Sequence, residues 1–134
     1  MRKLAVGLAV LALFISERSD SQSEAIQIFG GDNHDVYLGC LNCSEFDSNS
    51  VANQFGKYGW GSVGGAWNHF GNYADSYGNN SACNEYARKP PALVDRHGAF
   101  YGYLSVNEYL SNSICAIGGN EGVCSALKRM CASD

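Results

Sequence analysis

The segment Asp32-Asn33-His34-Asp35 places two carboxylates, an amide and an imidazole within four residues. Oxygen ligands of this kind bind divalent cations, and a carboxylate beside an imidazole can act as acid and base. One hypothesis is therefore a metal-assisted hydrolase built on Asp32, His34 and Asp35. The same residue types are also typical of a turn before a strand. We favour that structural interpretation, which leaves the chain without a catalytic residue, metal or cofactor.

The cysteines are the second set of reactive side chains. Cys40-x-x-Cys43 fits a redox pair, half of a zinc site or structural disulfides. The motif follows a predicted strand, not the helix N-terminus that lowers a thiol pKa, and no second pair has matching zinc spacing. An even number of cysteines in a small exported protein favours a disulfide framework with its pairing open. We predict that every cysteine is bridged: Cys40, Cys43, Cys83, Cys115, Cys124 and Cys131.

Aromatic residues recur in a three-copy repeat over residues 49–91. The anchors Asn53, Asn68 and Asn84 are 15 and then 16 residues apart, and a ring follows two residues after each. Self-similar units of this kind bury a face on their neighbours. We expect each Asn to be structural, because its side chain can hydrogen-bond nearby backbone. The rings in the shared position are predicted to be buried alike: Phe55, Phe70 and Tyr86.

A second group of rings lies between the copies, beside Gly and Ser. We predict that these linker rings are exposed and bind ligand: Tyr58, Trp60, Tyr73 and Tyr77. Tyr, Asn, Ser and Gly together form adaptable binding surfaces, and aromatic faces can stack on sugars. The main functional hypothesis is therefore a secreted, non-catalytic binding or structural module whose partner is a glycan or a cell-surface polymer.

Predicted elements must position these groups. Residues 26–29 and 35–39 are apolar enough for strands, and Asp95-Arg96-His97-Gly98 suits a type I turn within a hairpin over residues 92–106. In the second hairpin strand one face is predicted to be buried: Phe100, Leu104 and Val106.

Helices are predicted in two places. Ser or Gly residues that suit helix caps flank the repeats, which predicts one or two helical turns in each copy, with strands as the alternative for the linkers. Residues 121–132 carry Cys124, Leu127 and Cys131 on one helical stripe. Cys124 and Cys131 lie two turns apart, so each must pair elsewhere. The expected fold is a small disulfide-braced α+β domain with a short antiparallel sheet, short repeat helices and a C-terminal helix.

The N-terminus has the layout of a secretory signal peptide. Met1-Arg2-Lys3 is basic and residues 4–15 are apolar or small, a run too short to span a bilayer comfortably. We predict a signal peptide over residues 1–23 and one secreted or periplasmic domain over residues 24–134, without membrane attachment after cleavage.

Nine basic and thirteen acidic residues give a net charge of −4. No nucleic-acid partner is expected for an acidic chain without a basic stripe. The sequence does not indicate an oligomeric state.

The segment Tyr37-Leu38-Gly39-Cys40-Leu41-Asn42-Cys43, followed by Tyr/Gly/Ser/Asn-rich repeats and a closing strand pair, resembles a group of uncharacterised bacterial exported proteins. The resemblance covers residues 28–107. It implies export and a shared fold, and it implies no activity. Some relatives carry the module beside a nuclease-like domain, and no such additional domain is expected here.

Overall fold

The computed structural model describes residues 24–62, 64–68 and 70–132. Four strands form one antiparallel sheet: β1 (Gln27–Gly30), β2 (Val36–Cys40), β3 (Ala92–Val94) and β4 (Phe100–Tyr103). A single helix in the described residues, α1 (Glu121–Ala132), lies near the C-terminus. With three disulfides, the chain is a small disulfide-braced α+β domain, as the sequence predicted. The predicted signal peptide lies outside the described residues.

The sheet has the order β2-β1-β3-β4, so β1 is an inner strand. The predicted hairpin is present as β3 and β4, and β1 pairs with both β2 and β3. Ile28 in β1 is opposite Gly39 on one side and Leu93 on the other, and its side chain is fully buried. An apolar strand with partners on both sides satisfies its backbone groups completely, which suits this inner position.

Two glycines let the rest of the chain cover the sheet edges. Gly39 and Gly102 have φ of 111° and 110°, which a residue with a side chain rarely adopts. A Cβ at Gly39 would lie 2.8 Å from the Asn49 carbonyl oxygen, and a Cβ at Gly102 would lie 2.7 Å from that of Asn112. Close backbone approach at both edges therefore requires glycine.

The repeat region differs from its prediction. The described residues of segment 44–71 form no helix; they form a succession of β-turns. Nine successive hydrogen bonds of 2.8–3.3 Å define these turns. At every third position, the N–H of one residue donates to the carbonyl oxygen of the residue three positions earlier. The shared corner residues are Ser44, Asp47, Ser50, Asn53, Gly56, Gly59, Ser62, Gly65, Asn68 and Gly71. We call this segment the turn coil.

The corner residues explain why turns replace helices. Each corner ends one turn and begins the next, and type I turns favour Asp, Asn or Ser at their first position and Gly at their fourth. Every corner of the turn coil is one of these four residues. Asp, Asn and Ser are poor helix formers because their side chains form hydrogen bonds with nearby backbone groups. Gly is a poor helix former because its backbone loses the most conformational entropy in a helix. The helix prediction was wrong because it used the 15-residue repeat and overlooked the three-residue period.

The face predicted for the second hairpin strand is only partly correct. Leu104 and Val106 are buried, but Phe100 is 49% exposed and Ser105 is fully buried. The alternation fails because β4 ends at Tyr103 and pairing with β3 shifts register between Leu93 and Val94. A bulge of this kind breaks the two-residue period on which face predictions depend.

Two stacked tryptophans connect the turn coil to the sheet and to α1. The rings of Trp60 and Trp67 stack with centroids 5.0 Å apart. Trp67 is completely buried and its indole N–H donates to the Leu38 carbonyl of β2 at 3.0 Å. The indole N–H of Trp60 donates to the Met130 carbonyl of α1 at 3.2 Å. The indoles therefore supply apolar surface and satisfy backbone carbonyls at the same time.

All six cysteines are bridged, as predicted. The pairs are Cys40–Cys43, Cys83–Cys131 and Cys115–Cys124. Cys124 and Cys131 each pair outside α1, in agreement with their spacing, so the helix is fixed at two points.

Disulfides persist in oxidising compartments, which indicates a non-cytoplasmic protein. In the part of the chain that the structure describes, no helix is long and apolar enough to cross a membrane.

The turn between β3 and β4 contains a carboxylate, that of Asp95, which accepts three hydrogen bonds. Asp95 Oδ1 accepts from the His97 and Ala99 amides at 2.8 and 3.0 Å, and Oδ2 accepts from the Tyr101 hydroxyl at 2.9 Å. Burial tends to raise the pKa of Asp95, but these hydrogen bonds outweigh it and hold the pKa below the usual 3.8. The same bond to Asp95 raises the pKa of Tyr101.

A lowered folded-state pKa predicts a specific acid dependence of stability. The unfolded state binds the Asp95 proton more tightly than the folded state does. The stabilisation that ionised Asp95 contributes is therefore complete above pH 3.8, and it is lost as pH falls through the lower pKa of the folded state. We expect Asp95→Asn to reduce stability at neutral pH and to flatten its decline below pH 4. Urea unfolding between pH 2 and 6 measures this, with the exposed Asp35 as the Asp35→Asn control. An equal acid slope in wild type and Asp95→Asn would contradict it.

Candidate functional site

The Asp32–Asp35 segment lies in the loop between β1 and β2. Asp32 and Asp35 are exposed, whereas His34 is half-buried. The Nε2 atom of His34 lies 2.8 Å from the Pro90 carbonyl oxygen, and its ring is tilted against that of Tyr103. His34 has a φ of 53° at the end of a turn closed by its N–H and the Gly31 carbonyl. These contacts give the imidazole a structural partner across the loop.

No set of metal ligands is assembled there. The described residues contain no group of three His, Cys, Asp or Glu side chains placed to hold a metal ion. Asp32 Oδ1 has a structural neighbour, because the Asn80 amide, oriented to satisfy both partners, donates to it at 3.0 Å and to the Lys89 carbonyl at 3.1 Å. The segment therefore connects the first hairpin to the end of the repeat region.

Three of the four linker rings are directed inward. Tyr58 packs edge-on against Tyr37 with centroids 5.1 Å apart, and Trp60 stacks on buried Trp67. Tyr73 is half-buried and lies next to Gly30, where a Cβ would approach its ring to 3.2 Å. Only Tyr77 is freely displayed, at 90% exposure. The premise that all four are exposed was therefore wrong for Tyr58, Trp60 and Tyr73.

The aligned rings of the repeats are the exposed ones. Phe55 is 98% exposed, Phe70 97% and Tyr86 72%. The sequence-based prediction that they are buried was wrong. They occupy the third position of a β-turn, and the central residues of a turn project furthest from its hydrogen-bonded ends.

The residue two positions before each ring separates the two groups. Among the rings outside the sheet strands, those that follow Asn, Asp or Ser at this distance are exposed, whereas those that follow Gly are turned inward. The exposed set is Phe46, Phe55, Phe70, Tyr77, Tyr86 and Tyr109, and the inward set is Tyr58, Trp67 and Tyr73. Gly corners allow close packing on neighbouring backbone, as at Gly65, where a Cβ would lie 3.0 Å from the Lys57 carbonyl oxygen.

Each exposed ring is held by a side-chain cap. Oδ1 of Asn53 accepts from the Phe55 N–H at 3.0 Å, and Oδ1 of Asn84 accepts from the Tyr86 N–H at 2.9 Å. Their Nδ2 atoms donate six residues back, to the Asp47 carbonyl at 3.2 Å and the Gly78 carbonyl at 2.9 Å. The predicted structural role of these asparagines is confirmed. Asn68 caps Phe70 in the same way, at 2.8 Å.

Sequence reasoning missed two members of this set, Phe46 and Tyr109, and predicted a third, Tyr77, to be exposed but as a linker ring. Asn107-Glu108-Tyr109 is a fourth copy: Asn107 accepts from the Tyr109 N–H at 2.9 Å and donates to the Ala87 carbonyl at 2.8 Å. Phe46 is capped by Ser44, and Tyr77 is capped by Asp75 although it had been grouped with the linkers. The signal was present as a triplet of Asn, Asp or Ser, any residue, and an aromatic ring, outside the predicted strands.

Two of the exposed rings line one groove. Tyr86 and Tyr109 border an open groove of about 460 Å³, together with Glu85, Glu108 and Lys128. The Cys83–Cys131 disulfide and the last residue of α1, Ala132, complete the lining. Lys128 Nζ lies 3.2 Å from Glu108 Oε2, so one of the two carboxylates already has an ion pair. The groove therefore joins two copies of the ring-bearing turn to the end of the helix.

A larger depression of about 660 Å³ lies beside β4 and is a weaker candidate. Glycines and short side chains contribute much of its lining, and none of its described lining residues is charged. Specific sites usually combine apolar surface with a few convergent polar groups. The groove bordered by Tyr86 and Tyr109, which we call the tyrosine groove, adds three charged side chains to its two rings.

Comparison of this chain with protein-family models, with curated proteins and with solved structures gave no match in any of the three.

Proposed function

We propose that the protein is a secreted or periplasmic, non-catalytic binding module that presents aromatic rings to a glycan or cell-surface polymer. The observation that carries the proposal is the exposed set itself: six rings, each 72–98% exposed and each two residues after a capping Asn, Asp or Ser. Rings displayed in this way offer aromatic faces that can stack on sugars.

Rigid display supports a binding role. The capping bonds fix the backbone at each ring, so little conformational entropy remains to be lost there on binding. Tyr and Phe then offer large contact areas at low entropic cost, as in other binding surfaces that combine them with Asn, Ser and Gly. The proposed location agrees with the three disulfides and with the resemblance to exported proteins.

A ring-removal experiment tests this function. We expect Phe46→Ser, Phe55→Ser and Phe70→Ser combined in one variant to lose at least about tenfold in binding to an insoluble glycan, because the contacts of three rings are removed. The measurement is co-sedimentation with purified peptidoglycan sacculi, cellulose and chitin. Melting temperature should change little, since the three rings bury almost no surface.

The control variant is Ile117→Ser, which removes an equally exposed but aliphatic side chain outside the capped turns. It should bind like the wild type. The proposal is overturned if the wild type binds none of the three glycans, or if the triple variant and the control retain equal binding.

A further inference from the structure

We propose that the tyrosine groove binds an organic cation, such as a quaternary ammonium group or the protonated amine of a sugar. This inference rests on the proposed function and assigns a ligand class to one pair of its rings. The groove is defined by Tyr86, Tyr109, Glu85, Glu108 and Lys128.

The two rings supply the first argument. Tyr86 and Tyr109 are 72% and 86% exposed, so their faces are open to a ligand. The face of an aromatic ring is the negative side of its quadrupole and attracts alkylammonium groups, most strongly where several rings surround the cation. The Asn84 and Asn107 caps hold both ring-bearing turns in place before a ligand arrives.

Formal charge supplies the second argument. The groove contains two carboxylates and one ammonium group. Lys128 pairs with Glu108, whereas Glu85 has no ion pair or hydrogen bond among the residues that the structure describes. One negative charge is therefore left beside the rings, and it complements a cation rather than an anion.

The helix supplies the third argument. Cys131 and Ala132, the last residues of α1, line the groove, so the C-terminal end of a twelve-residue helix borders it. Unpaired carbonyls at a helix C-terminus carry a partial negative charge, and cations are stabilised there. The Cys83–Cys131 disulfide fixes this helix end against the turn that precedes Tyr86. Rings, carboxylate and helix end thus favour the same sign of ligand charge.

Paired titrations test the ligand class in the full chain. Choline is compared with 3,3-dimethylbutan-1-ol, its neutral counterpart of the same shape, and glucosamine is compared with glucose. The readout is the ring resonances of Tyr86 and Tyr109 in tyrosine-labelled protein. We expect both cations to shift these resonances and to bind about tenfold more tightly than their neutral counterparts. Binding should weaken as NaCl is raised.

Variants assign the effect to the groove. Glu85→Gln should weaken choline binding several-fold, and Tyr86→Leu together with Tyr109→Leu should remove it. Tyr77→Leu, an exposed ring outside the groove, should leave it unchanged. Equal binding of choline and its neutral counterpart, binding of glucose in preference to glucosamine, or no response to any ligand would each overturn the proposal.

The two proposals fail in distinguishable ways. If sacculi binding depends on Phe46, Phe55 and Phe70 while choline and glucosamine leave the groove resonances unchanged, the binding module stands and the cation site is wrong. If no glycan binds but both cations do, the groove stands and the polymer-binding function is wrong.

Discussion

Trp67→Ala is expected to lower the free energy of unfolding by roughly 3–5 kcal/mol, the usual cost of truncating a core aromatic residue. Trp67 is fully buried, stacks on Trp60 and donates to the Leu38 carbonyl of β2. Its removal leaves a cavity between the turn coil and the sheet and deprives a buried edge carbonyl of its donor. Chemical denaturation followed by circular dichroism measures the effect.

Phe70→Ala is the matched control, since it is an aromatic truncation three residues away in the same repeat. Phe70 is 97% exposed, so we expect its stability change to stay within about 0.5 kcal/mol. The sequence alone predicted the opposite for Phe70. If Phe70→Ala destabilises the protein as much as Trp67→Ala, the inward and outward assignment of the rings is incorrect.

Replacing Cys83 and Cys131 together by Ser is expected to cost about 4 kcal/mol. The bridge closes a loop with a sequence separation of 48, the longest of the three, and loop-closure entropy rises with loop length. The bridge also fixes the C-terminal end of α1, which carries the buried Leu127 and the Met130 carbonyl that accepts from Trp60. Guanidinium unfolding of the oxidised proteins measures the difference.

The Cys40–Cys43 pair provides the comparison. Its sequence separation is 3, so the same chain-entropy relation gives roughly 1.5 kcal/mol for the double Ser variant. The predicted order is therefore fixed by loop length. A greater loss on removal of Cys40–Cys43 than of Cys83–Cys131 would show that the short bridge stabilises the native state by another route.

The candidate site illustrates the limits of the sequence in physical terms. The Asn-x-aromatic repeat was visible, and the structural role of Asn53, Asn68 and Asn84 followed from their ability to bond local backbone. The direction of the rings was predicted wrongly for all of them except Tyr77, because alignment assumed that a recurrent aromatic residue must serve the core. The groove also could not be predicted from the sequence, because it is formed by turns at residues 84–87 and 107–110 and by a helix end that is distant from them in sequence.

The sequence by itself determined the local structure of this protein. Turn-forming corners from Ser44 to Gly71, the Asp95–Gly98 turn and the stripe on α1 each depend on neighbours within a few residues, where steric and hydrogen-bonding preferences act directly. Only the tertiary structure decided the cysteine partners, the inner position of β1 and which rings face water. Those choices depend on contacts between distant segments. The residue two positions before a turn ring correlates with the direction of that ring, but only the folded chain supplies the surface on which an inward ring packs.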